Sequence, residues 1–172
     1  MGLDGIVATL AGAEEVVISD YPAPVVLENI RQNATRNISD DLTPRARVEG
    51  HEWGDLSSTF ATENQGHFSR ILAADCYWMS EQHENLVASM LHFLSNDSGA
   101  RVFVIAGFHT GRARLASFFA VAEKMGLETE EIYEEDVEGK RRDWETERDG
   151  GREDGTGRKR WLVVARMMMK KT

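Results

Sequence analysis

A run of β-branched residues that stops on an acid and turns at once into a helix leaves few folds open. Val16-Val17-Ile18-Ser19 reads as a strand, Asp20 ends it, and Tyr21-Pro22 blocks its continuation. Helical patterning follows from Val25 to Asn37, and Pro24 suits the first turn. Strand, acid and helix in that order present a carboxylate at the carboxyl end of a strand in an open α/β sheet. A carboxylate there can accept hydrogen bonds from both hydroxyls of a ribose. Asp20 also fits a plain turn before Pro22.

The rest of the chain repeats the alternation. Leu3 to Ala13 is apolar, with Ile6, Val7, Leu10 and Ala11 near helical spacing, and Gly12 closes it. Arg47 to Asp55 reads as a short strand ending at Trp53-Gly54, and Leu56 to Gln65 as irregular or a short helix. Trp53 is either one wall of a flat pocket or a cap on the core edge. Phe68 to Trp78 contains an apolar run into Asp75, as in a buried parallel strand. Glu81 to Leu94 is a helix on Leu86, Met90, Phe93 and Leu94. Arg101 to Ala106 is a second buried-type strand, and Gly107 to Gly111 is its loop. Ala113 to Met125 is a helix on Leu115, Phe118, Phe119 and Ala122, stopped by Gly126. Leu127 to Tyr133 and Trp161 to Met167 read as a closing pair of strands. With no helix between them, they predict an antiparallel hairpin at one edge of a mainly parallel, doubly wound α/β sheet. The intervening 134–160 is crowded with both charge signs and with glycine, and reads as a long, flexible, solvated loop.

Composition narrows the function classes. At 172 residues the chain fits a single domain with a real core, and it is read as one spanning 1–172. A net charge of −9 argues against a general binder of nucleic-acid backbone, although a local site can oppose that sign. The single cysteine, Cys76, rules out an intrachain disulfide and a cysteine-based zinc site, and suits a reducing cytosol or nucleus. The five histidines show no paired ligand spacing, so no metal is expected. No apolar run approaches the roughly 18 residues of a membrane span. Met1 to Ala13 lacks a basic leader and is not read as a signal peptide.

Five segments in order carry a family resemblance: GIVATLAGAEEVVISDYP (5–22), LENIRQN (27–33), VEGHEWG (48–54), ILAADCYWMSEQHENL (71–86) and VFVIAGFHTGRA (102–113). Together they resemble a class I S-adenosylmethionine-dependent methyltransferase of Rossmann-like fold. More narrowly they resemble the fungal nicotinamide N-methyltransferase-like proteins, relatives of the seven-β-strand protein lysine methyltransferases. The resemblance implies that Asp20 holds the cofactor ribose with Tyr21 beside it, and that Trp53-Gly54 flanks the adenine. It implies that Gly2 is the last glycine of the loop on the methionine part, and that Asp75 lies near the point of methyl transfer. In the lysine methyltransferases that acid opens an Asp-x-x-Tyr motif. Here the fourth place is Trp78, with Tyr77 one place earlier, so the acceptor stays open among a protein lysine, a protein amino terminus and a small amine.

The resemblance also sets a departure. The family's first strand and glycine-rich loop would precede Leu3, and here the chain begins Met1-Gly2-Leu3. That strand lies centrally in the sheet. Without it, two strands would carry unpaired backbone groups, at roughly 1–3 kcal/mol each if left dry. The strands would then pair directly, be completed by another chain, or leave the fold unstable. The expectation is a methyltransferase with weakened cofactor binding. The alternative is a catalytically silent interaction module that docks a partner through its acidic surface or through 134–160. A nicotinamide-dinucleotide oxidoreductase is disfavoured, because no G-x-G-x-x-G precedes Asp20.

Overall fold

A computed structural model describes residues 1–171. The chain divides into two compact units, 1–63 and 64 onward. The mixed α/β class expected from the alternation is the class observed.

The first unit runs α1 (Leu3–Leu10), β1 (Val16–Asp20), α2 (Pro24–Asn37), β2 (Ala46–Gly50) and the short α3 (Thr59–Glu63). β1 and β2 are parallel, paired from Val16–Ala46 to Asp20–Gly50. Ile6, Val16, Ile18, Ile30 and Ile38 form the core. The helix α1 is apolar nearly all round, so its sequence alone does not choose a face. Gly5 chooses it. A Cβ there would lie 2.4 Å from Ile18 Cγ1, so only glycine lets the helix settle onto β1. Gly5, Ile6 and Thr9 are therefore the buried residues, while Val7 and Leu10, expected on the packed face, are exposed. In α2 the packed stripe is Val26, Ile30 and Ala34, and Val25 faces solvent. The strand β2 stops at Gly50, short of the expected Trp53-Gly54. A Cβ at Gly50 would meet Pro22 Cβ at 2.9 Å, so the chain passes the β1–α2 turn as bare backbone and then bends away.

The second unit runs β3 (Arg70–Ala74), α4 (His83–Phe93), β4 (Arg101–Gly107), α5 (Arg112–Met125), β5 (Leu127–Asp136), β6 (Arg141–Asp143), the short α6 (Gly155–Arg158) and β7 (Trp161–Met169). Its sheet has the order β3-β4-β7-β5-β6. β3 and β4 are parallel, and every later pairing is antiparallel. The expected closing hairpin is present as β5 and β7, with β7 taking the place between β4 and β5. Leu86, Val87, Met90 and Phe93 of α4 and Leu115, Phe118 and Ala122 of α5 supply the buried faces of the helices. Ala73, Val102, Val104, Ala106, Leu127, Val163, Ala165 and Met167 are the buried apolar sheet residues. The two apolar runs read as wholly buried strands are only partly so: β4 is buried at alternate residues and β3 only at Ala73, with Leu72 and Ile105 exposed. Among the described residues, β1 has β2 as its strand neighbour in the first unit and β3 has β4 in the second.

The segment 134–160 is not a plain solvated loop. It contributes the end of β5, the strand β6 and the helix α6, and it carries one of the most buried charges in the chain. Glu134 has no solvent-exposed side chain and receives hydrogen bonds from Arg112, Arg142 and Arg148. Arg112 also grips Glu153, at 3.0 and 2.7 Å, and donates to the Glu145 carbonyl at 2.8 Å. Composition misled because it counts charges as solvated. Here the two signs neutralise one another within the fold.

Burial pushes the Glu134 carboxyl up, but hydrogen bonds from Arg112 and Arg142 more than offset it and hold it below the ordinary 4.5. Glu153 is held down in the same way, chiefly by Arg112. With folded values depressed, the stability from these carboxylates is complete above the unfolded value and is lost as pH falls through the folded one. Urea unfolding should therefore show stability declining as pH falls below about 5, through and beneath the ordinary carboxylate range. Glu134→Gln should flatten that decline. Glu134→Ala, which strands buried arginines without a counter-charge, should cost about 3–5 kcal/mol at neutral pH.

Candidate functional site

Parallel strands expose polar groups where they end, and both units place acids there. In the first unit Asp20 is the last residue of β1. Its Oδ1 accepts the Tyr21 amide hydrogen at 2.8 Å, and its carbonyl accepts from the His51 amide at 2.8 Å. Asp20 is half-buried, Tyr21 is exposed, and His51 is buried with its ring edge toward Phe60. The carboxylate is thus aimed by its own turn, and His51, the residue after β2, is latched to the Asp20 main-chain carbonyl. Trp53 and Gly54 form a turn just beyond, and both are half-buried. Gly54 has φ 87°, a conformation that suits glycine. Gly2 caps α1 with φ 76°, and its carbonyl accepts from the Ile6 amide at 3.1 Å. A Cβ on Gly2 would press on Ile30 and Ile18 at 3.0 and 3.2 Å, so the backbone there is held close to β1 and α2.

In the second unit the ends of β3 and β4 frame a cavity of about 180 Å³. Asp75 and Trp78 line it from one side, and Gly107, His109 and Thr110 from the other. Asp75 stands at φ 53°, a left-handed conformation in which a residue with a side chain is strained. Its amide donates to the Ile105 carbonyl at 2.8 Å, which extends the β3–β4 ladder by one bond and fixes the carboxylate at the mouth. Tyr77 is buried. Its hydroxyl donates to the Ala73 carbonyl at 2.8 Å, and its ring lies 4.4 Å from that of Phe118. His83 Nε2 is 2.9 Å from the Tyr77 carbonyl, and Arg114 donates to the Trp78 carbonyl at 3.0 Å. These bonds turn Tyr77 inward and leave Trp78 outward, 54% exposed.

Sequence reading named Asp75 and Trp78 and passed over His109 and Thr110. Their signal was positional: they follow the end of a parallel-sheet strand, where ligand-facing loops sit. Gly107 is bound to the same geometry. A Cβ there would fall 2.6 Å from His109 Nε2, so glycine makes room for the imidazole. Among the described residues no cluster of three or more His, Cys, Asp or Glu could hold a metal ion, and no helix is long and apolar enough to cross a membrane.

The chain is similar to known proteins in sequence and in fold. A family model described as lysine methyltransferase matches residues 1–125. A protein N-terminal and lysine N-methyltransferase of Aspergillus fumigatus, efm7, is 32% identical over 141 residues, covering 77% of this chain and 54% of that protein. The mouse protein N-lysine methyltransferase METTL21A is 35% identical over 97 residues, covering 56% of this chain and 42% of that protein. The chain thus spans about half the length of the curated relatives it matches. Among solved structures, a TehB-like SAM-dependent methyltransferase from Corynebacterium glutamicum aligns with TM-score 0.63 at 20% identity, covering 98% of this chain and 75% of that one. The glycopeptide N-methyltransferase MtfA, solved with S-adenosylmethionine, aligns with TM-score 0.64 at 11% identity, covering 95% and 75%. At such identities these two likenesses establish the fold alone.

The strain at Asp75 gives a direct test of the site's construction. Asp75→Gly should unfold at the same or higher urea concentration than the wild type. Asp75→Val, which adds a β-branch at positive φ, should be destabilised by about 1–2 kcal/mol.

Proposed function

The chain belongs to the lysine methyltransferase family, and we propose that it transfers a methyl group from S-adenosylmethionine to an amine of a protein, either a lysine side chain or an amino terminus. The observation that carries this reading is the pairing, in one cavity, of a carboxylate held at the end of β3 with an outward indole, Asp75 with Trp78. Bound S-adenosylmethionine would supply a methyl carbon activated by its sulfonium. The residues of the first unit fit its nucleoside. Asp20, half-buried at the end of β1, keeps Oδ2 without a hydrogen bond among the described residues and can accept from ribose hydroxyls. Tyr21 flanks it. Trp53 and Gly54 offer an indole and bare backbone to the adenine. Gly2, where a side chain would crowd Ile30, keeps backbone exposed for the amino-acid part.

In the second unit Asp75 would pair with the ammonium form of the acceptor and take up its proton, leaving the nitrogen lone pair free. Trp78 lays an apolar and cation-attracting face along the acceptor's alkyl chain. The indole in the fourth place of the acid motif meets this need without a phenol, so Trp78 stands as an acceptor-contacting residue. The rate derives from alignment, since the methyl carbon arrives already activated.

Calorimetry with S-adenosylmethionine tests the cofactor assignment. Binding is expected, and Asp20→Ala should weaken it roughly 10- to 100-fold, the loss of charge-assisted hydrogen bonds. Asp75→Ala should leave binding intact and slow methylation of a lysine-bearing peptide by about 100-fold or more. A folded chain that takes up no S-adenosylmethionine would sink the reading.

A further inference from the structure

The segment 134–160 lies beyond the stretch matched by the family model, yet it reaches the cavity's far wall through the loop 107–111. Side chains of that loop divide. His109 and Thr110 line the cavity, whereas Phe108 is completely buried on the other side. Phe108 is held there by two partners. The Trp144 ring stacks on it, with centroids 6.1 Å apart and planes 14° from parallel. The Arg112 guanidinium sits 4.4 Å from its ring centroid and 5.3 Å from that of Trp144. Arg112 opens α5 directly after the loop, and three groups beyond the family match hold it: Glu134, the Glu145 carbonyl and Glu153. The loop itself is closed by the Gly111 amide donating to the Phe108 carbonyl at 3.1 Å. Fixing Phe108 and Arg112 therefore fixes the short span between them, and that span is the wall.

We infer that 134–160 sets the acceptor wall of the cavity, with Trp144 and Glu153 as positioning residues for His109 and Thr110. The inference rests on the reading of this cavity as the amine-acceptor site. It assigns the segment a role in specificity: by fixing His109 and Thr110 it governs how wide an amine substituent the cavity admits. Trp144 acts through stacking on Phe108, and Glu153 through the guanidinium that covers the same ring. Neither touches the acceptor.

Amide hydrogen exchange of the full chain tests the positioning. Trp144→Ala and Glu153→Gln should each speed exchange in 107–111 by about tenfold or more, with 86–90 and 163–167 unchanged. Trp144→Phe, which keeps a stacking ring, should restore protection. Glu153→Gln keeps the side-chain volume and reports on the charge if Trp144→Ala fails to fold. Exchange that quickens only within 141–160 would overturn the inference. A parallel NMR titration with n-butylammonium, an alkylammonium of lysine's width, reads the acceptor. In the wild type the Trp78 indole N–H and His109 ring signals should move, and in Trp144→Ala the dissociation constant should change several-fold. Unmoved wild-type signals would overturn the acceptor reading beneath the inference, a failure distinct from unaltered exchange in 107–111.

Discussion

A carboxylate shut away from water must be surrounded by donors or give up its charge, and the second unit is arranged around that requirement at Glu134. Its position near the end of β5 brings together α5 through Arg112, β6 through Arg142 and the following turn through Arg148. Each of these arginines is committed elsewhere as well, to Glu153, to a backbone carbonyl or to an aromatic face. Replacing such a cluster by apolar residues often costs nothing in stability. Its contribution is geometric: guanidinium and carboxylate pair in few orientations, so the elements they join are registered as well as attached.

The surface carboxylates away from this cluster behave differently. Glu130, between Arg101 and Arg166 on the sheet, is held down to about 2 by hydrogen bonds from those two side chains. It is solvent-exposed, so its pairing is screened and adds little to stability. Among the described residues, Asp20 and Asp75 have no arginine against them. Asp20 Oδ1 accepts from the Tyr21 amide, and the Asp75 amide donates to the Ile105 carbonyl, so these bonds of both run to backbone. A charge satisfied within the fold registers elements, and a charge left open at a strand end is available for chemistry.

Much of the fold was legible because its strands are short, apolar and punctuated. The run Val16–Ser19 broken by Asp20 and Pro22, and α4 and α5 with their helical spacing, needed only local physics. The errors arose where the deciding contact is distant in sequence. Which face of α1 is buried depends on Gly5 meeting Ile18. Where β2 stops depends on Gly50 meeting Pro22. That 134–160 is ordered depends on an arginine at 112. The candidate site was legible on the β3 side, where an acid ends an apolar run. It was obscure on the β4 side, where the loop Gly107–Gly111 shows no acid, and its one large side chain, Phe108, is buried and is not among the residues lining the cavity.

The two walls of that cavity are therefore built by different physics. On the β3 side, Asp75 is held by backbone hydrogen bonding in a conformation its own side chain disfavours, and Tyr77 is turned inward so that Trp78 can face outward. That wall follows from the sheet and the helices that pack on it. On the β4 side, the wall is a loop with little burial of its own, and its one anchoring ring is clamped by an indole and a guanidinium from separate parts of the chain. Local stability follows buried contacts, so the β3 wall shares the stability of the core and the β4 wall that of the clamp. On the proposed reading of this cavity, variation in 134–160 reshapes what it admits while Asp75 stays where the sheet puts it, which separates the position of the proposed acid from the choice of the molecule brought to it.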